Sequence, residues 1–339
     1  MGPIIILGVE SSCDDTALAL VQDTPDGWRV LARELSSQAD IHKKYGGVVP
    51  EIASRQHAEL INALLERLFG QAQLGWGEVE LIAVTNGPGL IGSLLIGVGA
   101  AKAIAFAREI PIIGVHHLKG HIYSVFIERP SLAMPFVALV VSGGHTVLVN
   151  ARGHGDFVEM GRTRDDAAGE AFDKVAKALG LGYPGGPLID QLAKVGNPGA
   201  IPFPRALPAK DSLEFSFSGL KTAVMYFLKQ QARDQSAFSL SDLAASFQEA
   251  VVDALAEKTV RAAGLAGVKQ IVLVGGVACN SRLREKMTQR AAEAGMDVYY
   301  PSPELCTDNA EMIACAGYHE FKLGRRDTLR LDVHPSLAI

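Results

Sequence analysis

One arrangement occurs twice in this chain, and it restricts the fold more than any other feature. Residues 4–9 are an unbroken run of Ile, Leu, Gly and Val, Ser11-Ser12-Cys13-Asp14-Asp15 is a polar turn, and residues 16–22 resume apolar. Residues 136–141, the turn Ser142-Gly143-Gly144-His145 and residues 146–150 repeat the pattern with little identity. Continuous β-branched runs read as strands buried on both faces, so each copy predicts a hairpin set into a covered sheet.

The segments after the two hairpins extend the parallel. After the first come a strand near 28–35, a helix opened by Pro50 with Leu60, Ile61, Leu64 and Leu68 at helical spacing, a strand at 81–85, a Gly-containing helix at 90–107 and a strand at 112–115. After the second come a strand near 157–160, a helix at 167–179 and later a strand at 270–274, the turn Gly275-Gly276 and a helix at 281–294. This order predicts an α/β chain of two similar lobes, each a mixed sheet flanked by helices, facing one another across a cleft. A length of 339 residues agrees with two domains. The boundary is expected near residue 115: an N-terminal lobe at 1–115, a C-terminal lobe at 116–308, and a last segment at 309–339 whose helix packs back on the first lobe. Residues 196–217, rich in proline and without periodicity, read as an insertion.

Composition narrows the function. With 32 Lys+Arg against 37 Asp+Glu the net charge is −5, which excludes a surface coated in basic residues. Nucleic-acid contact would have to use local patches, at His42-Lys43-Lys44-Tyr45, at Arg162 and Arg164, or at residues 322–330. The four cysteines form no CxxC pair, as suits a reducing cytoplasm. No membrane is expected. The apolar start stops at Glu10 without a basic leader, and the stretch 90–107 carries glycines and Lys102, reading as a buried helix.

Three groups of residues could carry chemistry. His117 and His121 stand four apart, so on a helix they share a face and could grip one metal ion; paired core or solvated histidines have the same spacing. Leu118 occupies the position where a zincin has its general-base Glu, so metalloprotease chemistry of that kind lacks its base. Asp308 could complete a two-His-one-carboxylate set with open coordination positions, although its local sequence reads as the N-cap of the helix after it. The glycine turns at 141–145, 185–186 and 275–276, at strand or helix ends, suggest amides that wrap an anion and together a nucleotide site. None matches a GxGxxG or P-loop pattern. Asp173 and Asp190 flank Gly185-Gly186, where a carboxylate could accept from ribose hydroxyls; Glu170 shares a helical face with Asp173.

These motifs, with Tyr45-Gly46-Gly47-Val48-Val49-Pro50-Glu51, Gly87-Pro88-Gly89, the run from Asp166 to Lys174 and Phe215-Ser216-Phe217-Ser218-Gly219-Leu220-Lys221-Thr222, resemble the TsaD family of tRNA N6-adenosine threonylcarbamoyltransferases, formerly described as O-sialoglycoprotein endopeptidases. The resemblance spans nearly the whole chain. It implies the two-lobed actin/Hsp70/sugar-kinase (ASKHA) fold. It implies transfer of a threonylcarbamoyl group from threonylcarbamoyl-AMP to N6 of the adenosine 3′-adjacent to the anticodon, in tRNAs reading codons that begin with A. It implies His117, His121 and Asp308 as ligands of one divalent metal per subunit, iron before zinc. It also implies Val141, Ser142, Gly143, Gly144, His145, Asp173, Gly186, Asp190 and Asn280 as contacts to the adenylate. No general base declares itself; His145 and Glu10 are the candidates. The implied partners are tRNA, a paralogous TsaB-like ASKHA subunit as heterodimer, and a TsaE-like P-loop ATPase. Two positions depart from the family pattern: Lys119 stands where relatives commonly carry Glu, and Asp15 where Glu is usual. The rival readings are an ASKHA-fold metabolite kinase, a non-catalytic scaffold subunit and a glycoprotease.

Overall fold

The computed structural model describes residues 3–205 and 212–339, so part of the expected insertion at 196–217 lies outside the described residues. The chain forms two compact units: residues 1–134, 153–156 and 301–339 in the first, and residues 135–152 and 157–300 in the second.

In the first unit the strands are β1 (Ile5–Glu10), β2 (Asp15–Thr24), β3 (Gly27–Ser37), β4 (Val79–Gly87) and β5 (Ile112–His116). Its helices are α1 (Ala39–Lys43), α2 (Pro50–Ala72), α3 (Ile91–Arg108) and α4 (His117–Glu128), with α10 (Pro303–Cys306) and α11 (Ala310–Lys322) arriving from the end of the chain. The second unit has strands β6 (Phe136–Val141), β7 (Thr146–Gly153), β8 (Asp156–Arg162), β9 (Gln270–Val274) and β10 (Asp297–Tyr299). Its helices are α5 (Ala168–Ala178), α6 (Gly185–Ala193), α7 (Ser218–Asp234), α8 (Leu240–Ala266) and α9 (Ser281–Glu293).

The two sheets have the same topology, with orders β3-β2-β1-β4-β5 and β10-β9-β6-β7-β8. In each, the first strand pairs antiparallel with its hairpin partner on one side and parallel with a later strand on the other. The repeated opening is therefore the centre of each sheet. Leu7, Val9, Leu18, Leu20, Ile82 and Val84 form a core with Ile61, Leu64 and Leu68 of α2 and Val98 and Ala101 of α3. The other face of that sheet is covered by α11, which also packs on α4.

That packing moves the expected boundary. A division near 115 would assign α4 to the second lobe, whereas α4 lies with α11 in the first unit and the chain crosses between units after Met134. The helix expected to be buried at 90–107 is buried on one side only. Among the described residues α3 alone is long and apolar enough to cross a membrane. It packs on α2 and β4 yet leaves Ile91, Leu95 and Phe106 at 59%, 51% and 73% exposure.

A carboxylate holds the start of α7. Asp165 Oδ1 accepts the N–H groups of Phe217 and Ser218 at 2.8 and 3.1 Å, and Oδ2 accepts the hydroxyls of Ser216 and Ser218 at 2.5 and 2.7 Å. Partial burial pushes Asp165 up, but those four donors outweigh it and lower its pKa to about 2. Replacing Asp165 with alanine should cost about 1 kcal/mol, the usual worth of a cap. A depressed carboxyl stabilises the fold in full above its unfolded pKa near 4, and that contribution fades as pH falls toward 2. Urea melts should therefore separate wild type from Asp165→Ala at neutral pH and bring them together at pH 2.

Candidate functional site

The hairpin turn of the first unit, the last turn of β4, the start of α4 and the approach to α11 meet at one cluster. His117 opens α4 and His121 lies one turn on, so both rings project from the same face with centroids 4.7 Å apart. Asp308 Oδ1 is 3.2 Å from His121 Nε2 and 3.6 Å from His117 Nε2. One donor atom from each of the three lies within 4.8 Å of the others. Ligands about 2.1 Å from a common tetrahedral ion stand about 3.4 Å apart, so the set needs little closing to hold one.

The expectation that Asp308 caps α11 is corrected here. Asn309 is the cap: its Oδ1 accepts the N–H of Met312 at 2.8 Å. The neighbouring asparagine takes the capping role and leaves the Asp308 carboxylate turned to the histidines.

His121 supplies the test of fit. It is fully buried, and neither ring nitrogen has a hydrogen-bond partner. A buried, unsatisfied imidazole costs about 1–3 kcal/mol. A metal ion on Nε2 removes part of that cost, and the donor set of two imidazoles and one carboxylate suits a borderline divalent ion. The residues present fit such an ion.

Behind His117 stands Glu10, buried at the end of β1. Its Oε2 is 2.9 Å from His117 Nδ1 and accepts the Thr85 hydroxyl at 2.6 Å; its Oε1 accepts the Ser12 N–H at 2.5 Å. The Ser12 hydroxyl also reaches His117 Nδ1, at 3.2 Å. An ionised carboxylate only accepts, so Nδ1 must carry the proton, and Nε2 is left facing Asp308. Burial alone would raise Glu10, but His117 outweighs it and holds the carboxyl below its ordinary value. Burial alone would lower His117, but Glu10 and then Asp308 outweigh it and lift it to about 9. With three donors on its oxygens, Glu10 positions His117 and is not disposed as a base for substrate. Glu10→Gln should weaken metal binding about 10–100-fold while the chain still folds, as found for partners that orient metal-bound histidines. Competition with a fluorescent chelator would measure it.

The other residues expected to bind the adenylate belong to the second unit. Ser142, Gly143, Gly144 and His145 make the β6–β7 turn, closed by Ser142 N–H to His145 O at 2.8 Å and His145 N–H to Ser142 Oγ at 3.2 Å. A Cβ added at Gly143, Gly144 or Gly186 would meet nothing within 4 Å, so the backbone there is open to approach. Gly275 has φ +93°, and a Cβ on it would stand 2.4 Å from Val141 O, so only glycine lets the turn after β9 sit against the end of β6. The start of α5 joins them through Gly169 N–H to Ser142 O at 3.2 Å.

Asp173 Oδ1 accepts the Gly185 N–H at 2.7 Å and so ties α5 to α6. Asp190 Oδ1 accepts the Ser281 hydroxyl at 2.9 Å, and buried Asn280 caps α9 through Leu283 N–H at 2.9 Å. Glu170 pairs with Lys174 on the surface of α5. Beside Asp190 and Asn280 opens a cavity of about 310 Å³ lined by Ala193, Ala245, Gln248, Glu249 and Arg282, among others. Gln248 accepts from Asn280 Nδ2 at 2.7 Å, and Glu249 takes Arg282 in two contacts of 2.7 and 2.9 Å. Gln248, Glu249 and Thr85 carry no signal in the sequence, because each is an ordinary residue whose partner is distant in the chain.

Known proteins resemble this chain in sequence over its whole length and in fold. The sequence profile of TsaD, described as tRNA N6-adenosine threonylcarbamoyltransferase, matches residues 29–315. A protein of Clostridioides difficile (strain 630) named tRNA N6-adenosine threonylcarbamoyltransferase is 48% identical over 100% of this chain and 99% of its own length. One of the same name from Syntrophobacter fumaroxidans is 54% identical over 94% of this chain and 95% of its own. Among solved structures, HypF of T. kodakarensis superposes with a TM-score of 0.63 at 14% identity, over 95% of this chain and 49% of that one, a likeness of fold.

Proposed function

This chain belongs to the tRNA N6-adenosine threonylcarbamoyltransferase family, and from that premise we propose that His117, His121 and Asp308 hold the metal ion its reaction uses. The chain is an acyltransferase that forms threonylcarbamoyladenosine in tRNA. The family match disfavours the metabolite-kinase reading.

The donor in this proposal is threonylcarbamoyl-AMP and the acceptor is the adenosine 3′-adjacent to the anticodon. The exocyclic N6 attacks the carbamoyl carbonyl. The new C–N bond replaces the C–O bond to phosphate, AMP leaves, and N6 gives up one proton. An aromatic amine is a poor nucleophile, so holding the reactants in register supplies much of the rate. In the second unit Val141, Ser142, Gly143, Gly144 and His145 present the turn for the phosphate. Asp173, Gly186, Asp190 and Asn280 surround the nucleoside. In the first unit Glu10 fixes the His117 ring, and Asn309, by capping α11, leaves Asp308 available. When bound, a divalent ion supplies Lewis-acid stabilisation of developing negative charge. Two histidines and a carboxylate with open positions favour ferrous iron over zinc.

The observation that carries the metal reading is the buried His121 ring, without a hydrogen bond and 3.2 Å from Asp308. It is tested by reconstitution with the adenylate-forming enzyme, labelled threonine, bicarbonate, ATP and unmodified tRNA. Label should enter tRNA, disappear with chelator, and return with Fe2+ more fully than with Zn2+. Undiminished transfer by the metal-free chain would refute the reading.

Two protein partners belong to the same proposal. The apolar stripe of α3 at Ile91, Leu95 and Phe106 supports a paralogous TsaB-like subunit as heterodimer partner. The family resemblance supports a TsaE-like P-loop ATPase. The cytoplasm as site of action accords with four cysteines that form no disulfide.

A further inference from the structure

A cavity of about 510 Å³ in the first unit takes no part in the metal cluster or the glycine turns. It opens at the carboxyl ends of β4 and the edge strand β5, marked by Asn86 and His116, and its far wall is the chain beyond α11. That wall is fixed to the sheet. Asp327 bridges to Ile112, Gly114 N–H donates to Asp327 Oδ2 at 2.8 Å, His334 N–H donates to Asn86 O at 2.7 Å, and Lys102 Nζ reaches Leu331 O at 2.9 Å.

Three cations converge on this space. Lys119 and Arg325 share one carboxylate, Glu320, at 3.6 and 3.7 Å. The Arg330 guanidinium is exposed and has no ion-pair partner among the described residues. His334 also lines it, whereas the His116 ring is already held, its Nε2 by Leu337 O and its Nδ1 by the Leu118 N–H, each at 3.2 Å. Two carboxylates also line it, and both are engaged: Asp327 by Gly114 N–H and Arg325, and Asp332 by Val333 N–H at 2.8 Å. Single surface cations need no ligand, but cations converging on a fixed concave wall are a site for an anion. The lining has no Phe, Tyr or Trp on which a base could stack, so it suits phosphate without base.

We propose that this cavity binds a backbone phosphate of the tRNA substrate. The proposal rests on the transferase reading. It explains how a chain of net charge −5 grips a polyanion through one local cluster. His116 and Lys119 flank His117 within one helical turn, so the phosphate contact and a metal ligand are carried by the same rigid segment.

The test uses the full chain with Arg330→Glu and Arg330→Gln, since Arg330 is exposed and its side chain holds nothing in place. Filter binding of tRNA over a series of KCl concentrations should show Kd raised about 5–10-fold in Arg330→Gln and more in Arg330→Glu. The slope of log K against log salt should fall by about one. Arg330→Lys should restore most of the affinity, binding of ATP and AMP should not change, and KM for tRNA should rise with kcat preserved. Unchanged tRNA affinity and salt slope would overturn the proposal. So would a loss of ATP or AMP affinity with the tRNA slope intact, which would make the cavity a mononucleotide site. A wild-type chain that modified no tRNA would defeat the transferase reading, while the binding slope reports on the cavity independently.

Discussion

Replacing His121 with alanine is expected to leave a folded chain that holds no metal and transfers the threonylcarbamoyl group about a thousandfold more slowly, the worth of several kcal/mol of charge stabilisation. Two terms decide the effect on folding. Removing a buried ring leaves a void, which destabilises. It also removes two buried nitrogens that have no hydrogen-bond partner, which stabilises. These oppose one another, so the metal-free variant should melt close to metal-free wild type. Metal should separate them. An ion that binds only the native state at a thousand times its Kd adds about 4 kcal/mol to wild type and nothing to the variant. Thermal melts with and without Fe2+, together with metal analysis of the purified chains, measure both. A variant that kept one metal per chain and a wild-type rate would show that the ligands lie elsewhere.

Gly8→Ala should cost about 3 kcal/mol or more and weaken metal binding at least tenfold, although residue 8 touches none of the ligands. Gly8 is in the middle of β1, and a Cβ on it would lie 2.1 Å from Ala310 O and 3.2 Å from Ala314 Cβ. Neither is the movable end of a side chain, so α11 must retreat as a body. Asp308 is two residues before the start of α11 and would go with it. A displacement of about 1 Å is enough to spoil a coordination set. Gly99→Ala is the control: a Cβ there meets nothing within 4 Å, and the residue lies inside α3, so the exchange should stabilise by up to about 1 kcal/mol. Equal melting and equal metal affinity for Gly8→Ala and wild type would disprove any coupling between β1 packing and the ligand set.

The difference between these glycines shows where sequence reading reaches its limit. Both are glycines in apolar runs, and only the docking of α11 makes one of them irreplaceable. Asp308 makes the same point more sharply. Its local sequence favours a helix cap, and the structure gives that role to Asn309, a choice set by the backbone entering α11. The edge of the first unit departs from the expected position for a related reason, since α4 continues directly from β5 and only its packing on α11 assigns it.

Local pattern sufficed for much else. The unbroken runs in β1 and β6 and their polar turns, the helical spacing in α2, and the shared face of His117 and His121 depend on residues a few positions apart, and that range is what periodicity records. Twice-used topology came from the twice-used hairpin. The convergence of Glu10, Thr85, His117 and Asp308 did not, because it depends on strand order and on a helix returning from the far end of the chain to cover the sheet. Spacing along a chain reports which residues share a face; which faces meet is decided by the apolar surface each must bury.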